Sequence, residues 1–101
     1  MPPTRTNPEQ MSIRHEPDNT RFVAAIGAAS AVLEYSSIDD ETLDYSHTFV
    51  PSEVRGQGIA SAITEHALKY ALDNDFAVIP SCPFVAAFIQ SNPKYRKLVK
   101  R

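Results

Sequence analysis

Arg55, Gly56, Gln57 and Gly58 stand directly before a helical pattern in the stretch VRGQGIASAITEHAL, which holds two of the chain's three glycines. Glycine suits positions where the backbone turns sharply or where another group must come close to it. A helix start carries unpaired N–H groups and a partial positive charge, so glycines there let a phosphate reach the main chain. Arg55 adds a permanent charge and a forked donor set that matches phosphate oxygens. The loop reads as a diphosphate cradle; the alternative is a tight strand-to-helix turn with an exposed arginine. Two familiar phosphate loops are excluded. No Lys-Ser or Lys-Thr pair follows the glycines, and the spacing is not G-x-G-x-x-G within a dinucleotide fold.

The second reactive group is Cys82, the only cysteine, in VIPSCPFVAAFI. It closes an apolar strand and precedes a helix start, a setting that lowers a thiol's pKa. An inert buried cysteine is the competing account. A single cysteine can form neither an intrachain disulfide nor a Cys-based zinc site. His15 and His66 have no partner at metal-ligand spacing, so no metal is expected.

The elements that must hold these groups can be read from periodicity. MSIRHE alternates weakly, and PDN after it is turn chemistry. RFVAAI and ASAVLEYS flank Gly27 as a hairpin. TLDYSHTFV alternates cleanly, which puts Leu43, Tyr45, His47 and Phe49 on one face and Asp44, Ser46, Thr48 and Val50 on the other. Ile59, Ile63, Ala67 and Tyr70 recur at helical spacing through Leu72. FAVIP at 76–80 is a short buried strand, FVAAFIQS a short helix, and NPKYRKLVKR a basic tail. The strand ending at Val50 and the strand at Phe76–Pro80 are joined through a helix, so they should run parallel. The expected class is α+β: a mostly antiparallel mixed sheet with a parallel strand pair and helices packed on it.

At 101 residues the chain is one small domain, expected over 11–101 behind a disordered tail at 1–10 rich in proline and polar types. A hydrophobic fraction of 43% supplies a modest core, and a formal net charge of -2 gives no basic field for duplex nucleic acid. No signal-peptide core or membrane-length apolar run appears. A cytoplasmic protein with no membrane or nucleic-acid partner is expected.

Arg55-Gly56-Gln57-Gly58-Ile59-Ala60 fits the R/Q-x-x-G-x-G/A motif of the GCN5-related N-acetyltransferases. HTFVPSEVRGQGIA, VIPSCPFVAAFI and NPKYRKLV resemble the small, roughly hundred-residue branch of that superfamily, over about Met11 to Val99. The resemblance implies acetyl-CoA or coenzyme A as co-substrate, with the diphosphate held by Val54, Arg55, Gly56, Gln57, Gly58, Ile59 and Ala60. It implies that the parallel pair is splayed, the strand through His47–Val50 parting from that at Phe76–Pro80, and that backbone groups of Phe49 and Val50 bond the pantetheine amides in the gap as an added strand would. Asn92, Lys94 and Arg96 would flank the far side of the coenzyme, although a solvated basic tail also explains them.

The resemblance also places Cys82 near the thioester, as a nucleophile carrying acetyl or as a lining residue in a direct-transfer site. Direct transfer needs a base and an acid. His47, which titrates in the right range, and Glu34 are base candidates. Tyr95 is the acid candidate by the resemblance, although it follows Asn92-Pro93 rather than lying in the helix. The acceptor would be an unidentified amine. A typical member has two helices between its first two strands, whereas only EPDNT separates them here. The acceptor side should be open, suited to a protein-borne amine or completed by a partner subunit. A module that holds CoA or acyl-CoA without turnover is the alternative function.

Overall fold

The computed structural model describes residues 11–100, so the tail expected at 1–10 lies outside the described residues. Five strands form one sheet in chain order: β1 (Met11–Glu16), β2 (Arg21–Ile26), β3 (Ala29–Asp39), β4 (Thr42–Phe49) and β5 (Ala77–Ile79). The first four pair antiparallel, and β5 joins β4 in parallel. Two helices complete the domain, α1 (Ile59–Asp73) and α2 (Pro83–Ser91). This is the α+β arrangement expected, and β1 and β2 are indeed joined only by a short 3-10 turn at Pro17–Asn19.

One face of the sheet carries the core. Phe22, Leu33, Tyr35, Leu43 and Tyr45 are buried on it against Ile59, Ile63, Ala67, Leu68 and Ala71 of α1. The Tyr45 hydroxyl donates to the Ala67 carbonyl at 2.6 Å, which ties β4 to the middle of α1. Burial holds that phenol far above its ordinary range, so it acts only as a neutral donor.

The clean alternation expected along β4 breaks at its centre. Glu34 pairs with His47 but Tyr35 pairs with Tyr45, so Ser46 is an extra residue, a β-bulge. Its hydroxyl donates to the Glu34 carbonyl at 3.3 Å. One inserted residue exchanges the faces of everything beyond it. Thr48 therefore lies across from core residue Leu33, while His47 and Phe49 sit on the opposite, exposed face. The expectation that His47 and Phe49 share a face with Leu43 and Tyr45 is corrected on this ground.

The C-terminal segment is also not a solvated tail. Residues Pro93–Leu98 form a 3-10 helix with Tyr95 and Leu98 buried, and Val99 bridges Val78 of β5. Apolar side chains at 95, 98 and 99 anchor it, while the basic ones between them stay outside.

His15 on β1 stacks on Phe22, with ring centroids 4.3 Å apart, and its Nε2 lies 2.6 Å from the Tyr35 hydroxyl. Tyr70 of α1 meets it edge-on, and burial, then the nearby His66, lower its pKa below 6.5. The folded state thus holds the imidazole neutral, while the unfolded chain takes up a proton below the ordinary value. Stability from this group is present at neutral pH and is lost as the pH falls from 6.5 through the lowered folded value. Thermal midpoints should drop across that window. His15→Phe, which keeps the stack without a titrating group, should flatten the drop; an equal drop in the variant would refute this assignment.

Candidate functional site

The parallel ladder between β4 and β5 covers only Thr42 to Asp44 against Ala77 to Ile79. The Cys82 amide then donates to the Tyr45 carbonyl at 2.9 Å, and the chain leaves the sheet to begin α2. From Ser46 onward β4 continues without β5, so the two strands splay at the bulge. The expected parallel pair is present, limited to three residues on each side.

The glycine loop lies at the open end of that splay. Gly56 and Gly58 have φ of +82° and +77°, a left-handed conformation that side chains rarely adopt. Nothing lies within 4 Å of where a Cβ would stand on either, so the glycines serve backbone shape and leave free space in front of the loop. Gly58 is the N-cap of α1 and offers no side chain to cap it. The first intrahelical bond runs from the Ala62 amide to the Gly58 carbonyl, which leaves the amides of Ile59, Ala60 and Ser61 without helical partners. These bare donors suit an anion such as a diphosphate.

A cavity of about 210 Å³ lies against this loop, lined by Val50, Val54, Arg55, Gly56, Gly58, Ile59, Ala60, Ser61 and Phe84. A second, of about 300 Å³, adds Thr48 and Phe49 on one side, and a third, of about 320 Å³, runs past Phe88 to Ser91 and Asn92. Shared lining residues join them into one groove from the α2 end, past the α1 start, to the splayed part of β4. Arg55 donates from Nε to the Val50 carbonyl at 2.9 Å, which fastens the loop to the end of the β4 segment. That contact uses one of the guanidinium's donors.

Cys82 is the N-cap of α2, only 5% exposed, with Sγ 3.6 Å from the Thr48 hydroxyl oxygen. Burial pushes the thiol's pKa up, but hydrogen bonds from Thr48 and from the amides of Val85 and Phe84 outweigh it, and the net shift is downward. Thr48 thus connects the cysteine to the groove, and it can do so because the Ser46 bulge turned it to the core face. The alternation read from sequence hid this residue; only the register with β3 discloses it.

The other expected site residues separate. Val54, Gln57 and Ile59 lie in or beside the loop, and Asn92 lines the far cavity while donating to the Phe88 carbonyl at 2.8 Å. Lys94 does not line these cavities; it lies 3.5 Å from Glu65 and over the Tyr95 ring. Arg96 donates to the Gln90 carbonyl at 2.8 Å and lines a different cavity behind α2. Tyr95 is 1% exposed, and its hydroxyl donates to Glu65 on α1 at 3.2 Å rather than facing the groove. Burial and then Glu65 hold its pKa up. His47 and Glu34 face each other across β3 and β4 on the exposed side of the sheet, the side opposite Thr48. No group of three or more His, Cys, Asp or Glu able to hold a metal occurs among the described residues, and no helix among them is long and apolar enough to cross a membrane.

Tyr95→Phe removes only the Glu65 contact. It should lower stability by about 1 kcal/mol and leave the groove beside Thr48 and Cys82 unchanged. A tenfold or greater fall in turnover without a change in substrate binding would restore Tyr95 as the acid.

Comparison with known proteins gives consistent results. Residues 21–98 match the family described as GCN5-related N-acetyl-transferase. The chain is similar to Protein NATD1 of Xenopus tropicalis, 31% identical over 86 residues that span 81% of this chain and 79% of that protein. Protein NATD1 of Bos taurus is 29% identical over 91 residues, 85% of this chain and 80% of the relative. The solution structure of a GCN5-like protein from Staphylococcus aureus superposes with a TM-score of 0.70 at 21% identity, covering 90% of this chain and 89% of that one. At that identity the likeness speaks to fold.

Proposed function

The chain belongs to the GCN5-related N-acetyltransferase family, and on that premise we propose that it uses acetyl-CoA to acetylate an amine, with the thioester delivered to Cys82. The observation that carries this reading is the continuous groove from Asn92, past the bare amides of Ile59 to Ser61, to Thr48. Diphosphate oxygens would accept from those amides and from Arg55. On the side of β4 that β5 has left, main-chain groups of Phe49 and Val50 would bond the amides of the pantetheine arm, alongside the Arg55 contact to the Val50 carbonyl.

The chemistry follows from which groups lie nearest the Thr48 end of the groove; Cys82 lines none of the three cavities and meets the groove through Thr48. With Tyr95 committed to Glu65 and His47 on the far face, the best-placed reactive group is the Cys82 thiol. Its thiolate attacks the acetyl carbonyl, and the C–S bond to coenzyme A breaks as the CoA thiolate leaves. The amine then attacks the acetyl group on Cys82, loses a proton to solvent, and returns the thiolate. Amides of Phe84 and Val85, together with Thr48, stabilise the thiolate in both steps. Only the Pro17–Asn19 turn stands between β1 and β2, so no helix pair inserted there walls off an acceptor, which suits an amine carried on a large molecule.

Intact-protein mass measurement after incubation with acetyl-CoA tests this directly. One acetyl group should appear on Cys82 and disappear when a competent amine is added. Saturable coenzyme binding with neither acetylation nor thiol release would instead favour a CoA-holding module. No saturable binding at millimolar coenzyme would remove both readings.

A further inference from the structure

A cavity of about 370 Å³ lies behind α2, lined by Pro80, Ala86, Ile89, Gln90, Arg96 and Val99. It shares no lining residue with the groove. Along α2, Phe84, Ala87, Phe88 and Ser91 line the groove, while Ala86, Ile89 and Gln90 line this cavity. At 3.6 residues per turn these two sets fall on opposite faces of the helix. The far wall comes from the sheet edge. Val99 bridges Val78 in parallel, and the Lys100 amide donates to the Val78 carbonyl at 2.9 Å. Pro80 has no N–H with which to carry that pairing further along the edge.

The lining is sorted by polarity. Ile89 is buried and Pro80, Ala86 and Val99 are half-buried, which gives an apolar floor, whereas Gln90 and Arg96 are exposed at the rim. The lining contains one cation and no acidic side chain. Arg96 donates from Nη2 to the Gln90 carbonyl at 2.8 Å, which holds the guanidinium at the rim. That contact uses one of its five N–H groups.

We infer that the cavity behind α2 is a second ligand site, built for a small monocarboxylate with a compact apolar body. The planar guanidinium fork matches the two oxygens of a carboxylate. The body of the ligand covers the apolar floor and releases the water that wets it. The volume falls within the range of small-molecule sites, roughly 300–1,000 Å³. One cation at the rim balances one negative charge, and the lining supplies no second cation for a doubly charged phosphate. Neither the glycine loop nor Cys82 contributes to the lining, so the site stands whether or not the groove holds a coenzyme.

The test is an NMR titration of the full chain with hexanoate, with hexanamide as the uncharged match and acetate as the acid without a body. Hexanoate should move the amides of Ala86, Ile89, Gln90, Arg96 and Val99 and saturate at about millimolar concentration, leaving Gly56 to Ser61 in place. Hexanamide and acetate should each bind about tenfold more weakly or worse. Arg96→Met keeps an apolar stem without the fork, and should weaken hexanoate about tenfold and bring it level with hexanamide. Ala86→Leu fills the floor and should abolish binding. Thermal midpoints close to wild type exclude unfolding in either variant; should one unfold, the preference of the unaltered protein for hexanoate over hexanamide decides. No saturation up to the solubility limit of hexanoate would overturn the site, as would shifts centred on Gly56 to Ser61. Hexanamide or acetate binding as tightly as hexanoate, or full hexanoate affinity in a folded Arg96→Met protein, would do the same.

Discussion

Gly58→Asp should lower coenzyme A affinity at least a hundredfold while the protein remains folded. A Cβ at Gly58 meets nothing within 4 Å, so the cost to the folded state is backbone strain rather than a clash. The cost of φ +77° is modest for aspartate, which visits the left-handed region more readily than most residues. Binding is where the damage falls. Gly58 is the N-cap of α1, where an aspartate side chain can accept from the free amides of the first turn. Those donors are the ones assigned to the diphosphate. The carboxylate would occupy their acceptor site and add a like charge in the same space. Losing two charge-assisted hydrogen bonds at about 1.5 kcal/mol each corresponds to about a hundredfold, before repulsion is counted. Gly58→Asn occupies similar space without the charge and should lose less. Calorimetry on both variants reads the difference, and a Gly58→Asp protein that binds CoA as tightly as wild type would remove the diphosphate cradle.

The second large effect is expected at Cys82. Cys82→Ala should keep CoA binding and reduce acetyl transfer on the order of a thousandfold or more, as is usual when a covalent nucleophile is deleted. The separation is expected because Sγ touches Thr48 and the start of α2 rather than the diphosphate loop. Cys82→Ser retains a hydroxyl near Thr48 but loses thiolate character, so it should resemble alanine in turnover. The rate should also rise with pH as the thiol ionises, below the range of an ordinary cysteine, because its pKa is lowered. Full turnover by Cys82→Ala would assign the reaction to direct transfer instead. Thr48→Val provides a finer probe: it keeps the shape, removes one hydrogen bond from the thiolate, and should shift that pH profile upward.

Much of the framework around the candidate site was legible in the sequence, for identifiable reasons. Gly56 and Gly58 could be read as backbone devices because a chain with three glycines rarely places two of them beside a helix start without need. The helix from Ile59 and the strand before Cys82 were legible from periodicity, and the parallel β4–β5 pair followed from the connection between them. The errors came from two places where local pattern and tertiary register disagree. Along β4 the alternation is unbroken in sequence, and nothing in Tyr45-Ser46-His47 announces an inserted residue. From Asn92 onward the charges suggested solvent, although Tyr95 and Leu98 are inserted into the core and Val99 bridges β5.

What the sequence by itself determined is local: where the backbone can turn left-handed, which stretches repeat at helical or strand spacing, and that one thiol precedes a helix start. These depend on residues within a few positions of each other. The tertiary structure decided which of the candidates meet. The Ser46 bulge, set by pairing with β3, turned Thr48 toward Cys82 and His47 away, and packing on α1 drew Tyr95 to Glu65. A one-residue shift in strand register moves every later side chain to the other face, and that shift is fixed by a partner strand rather than by the neighbouring residues.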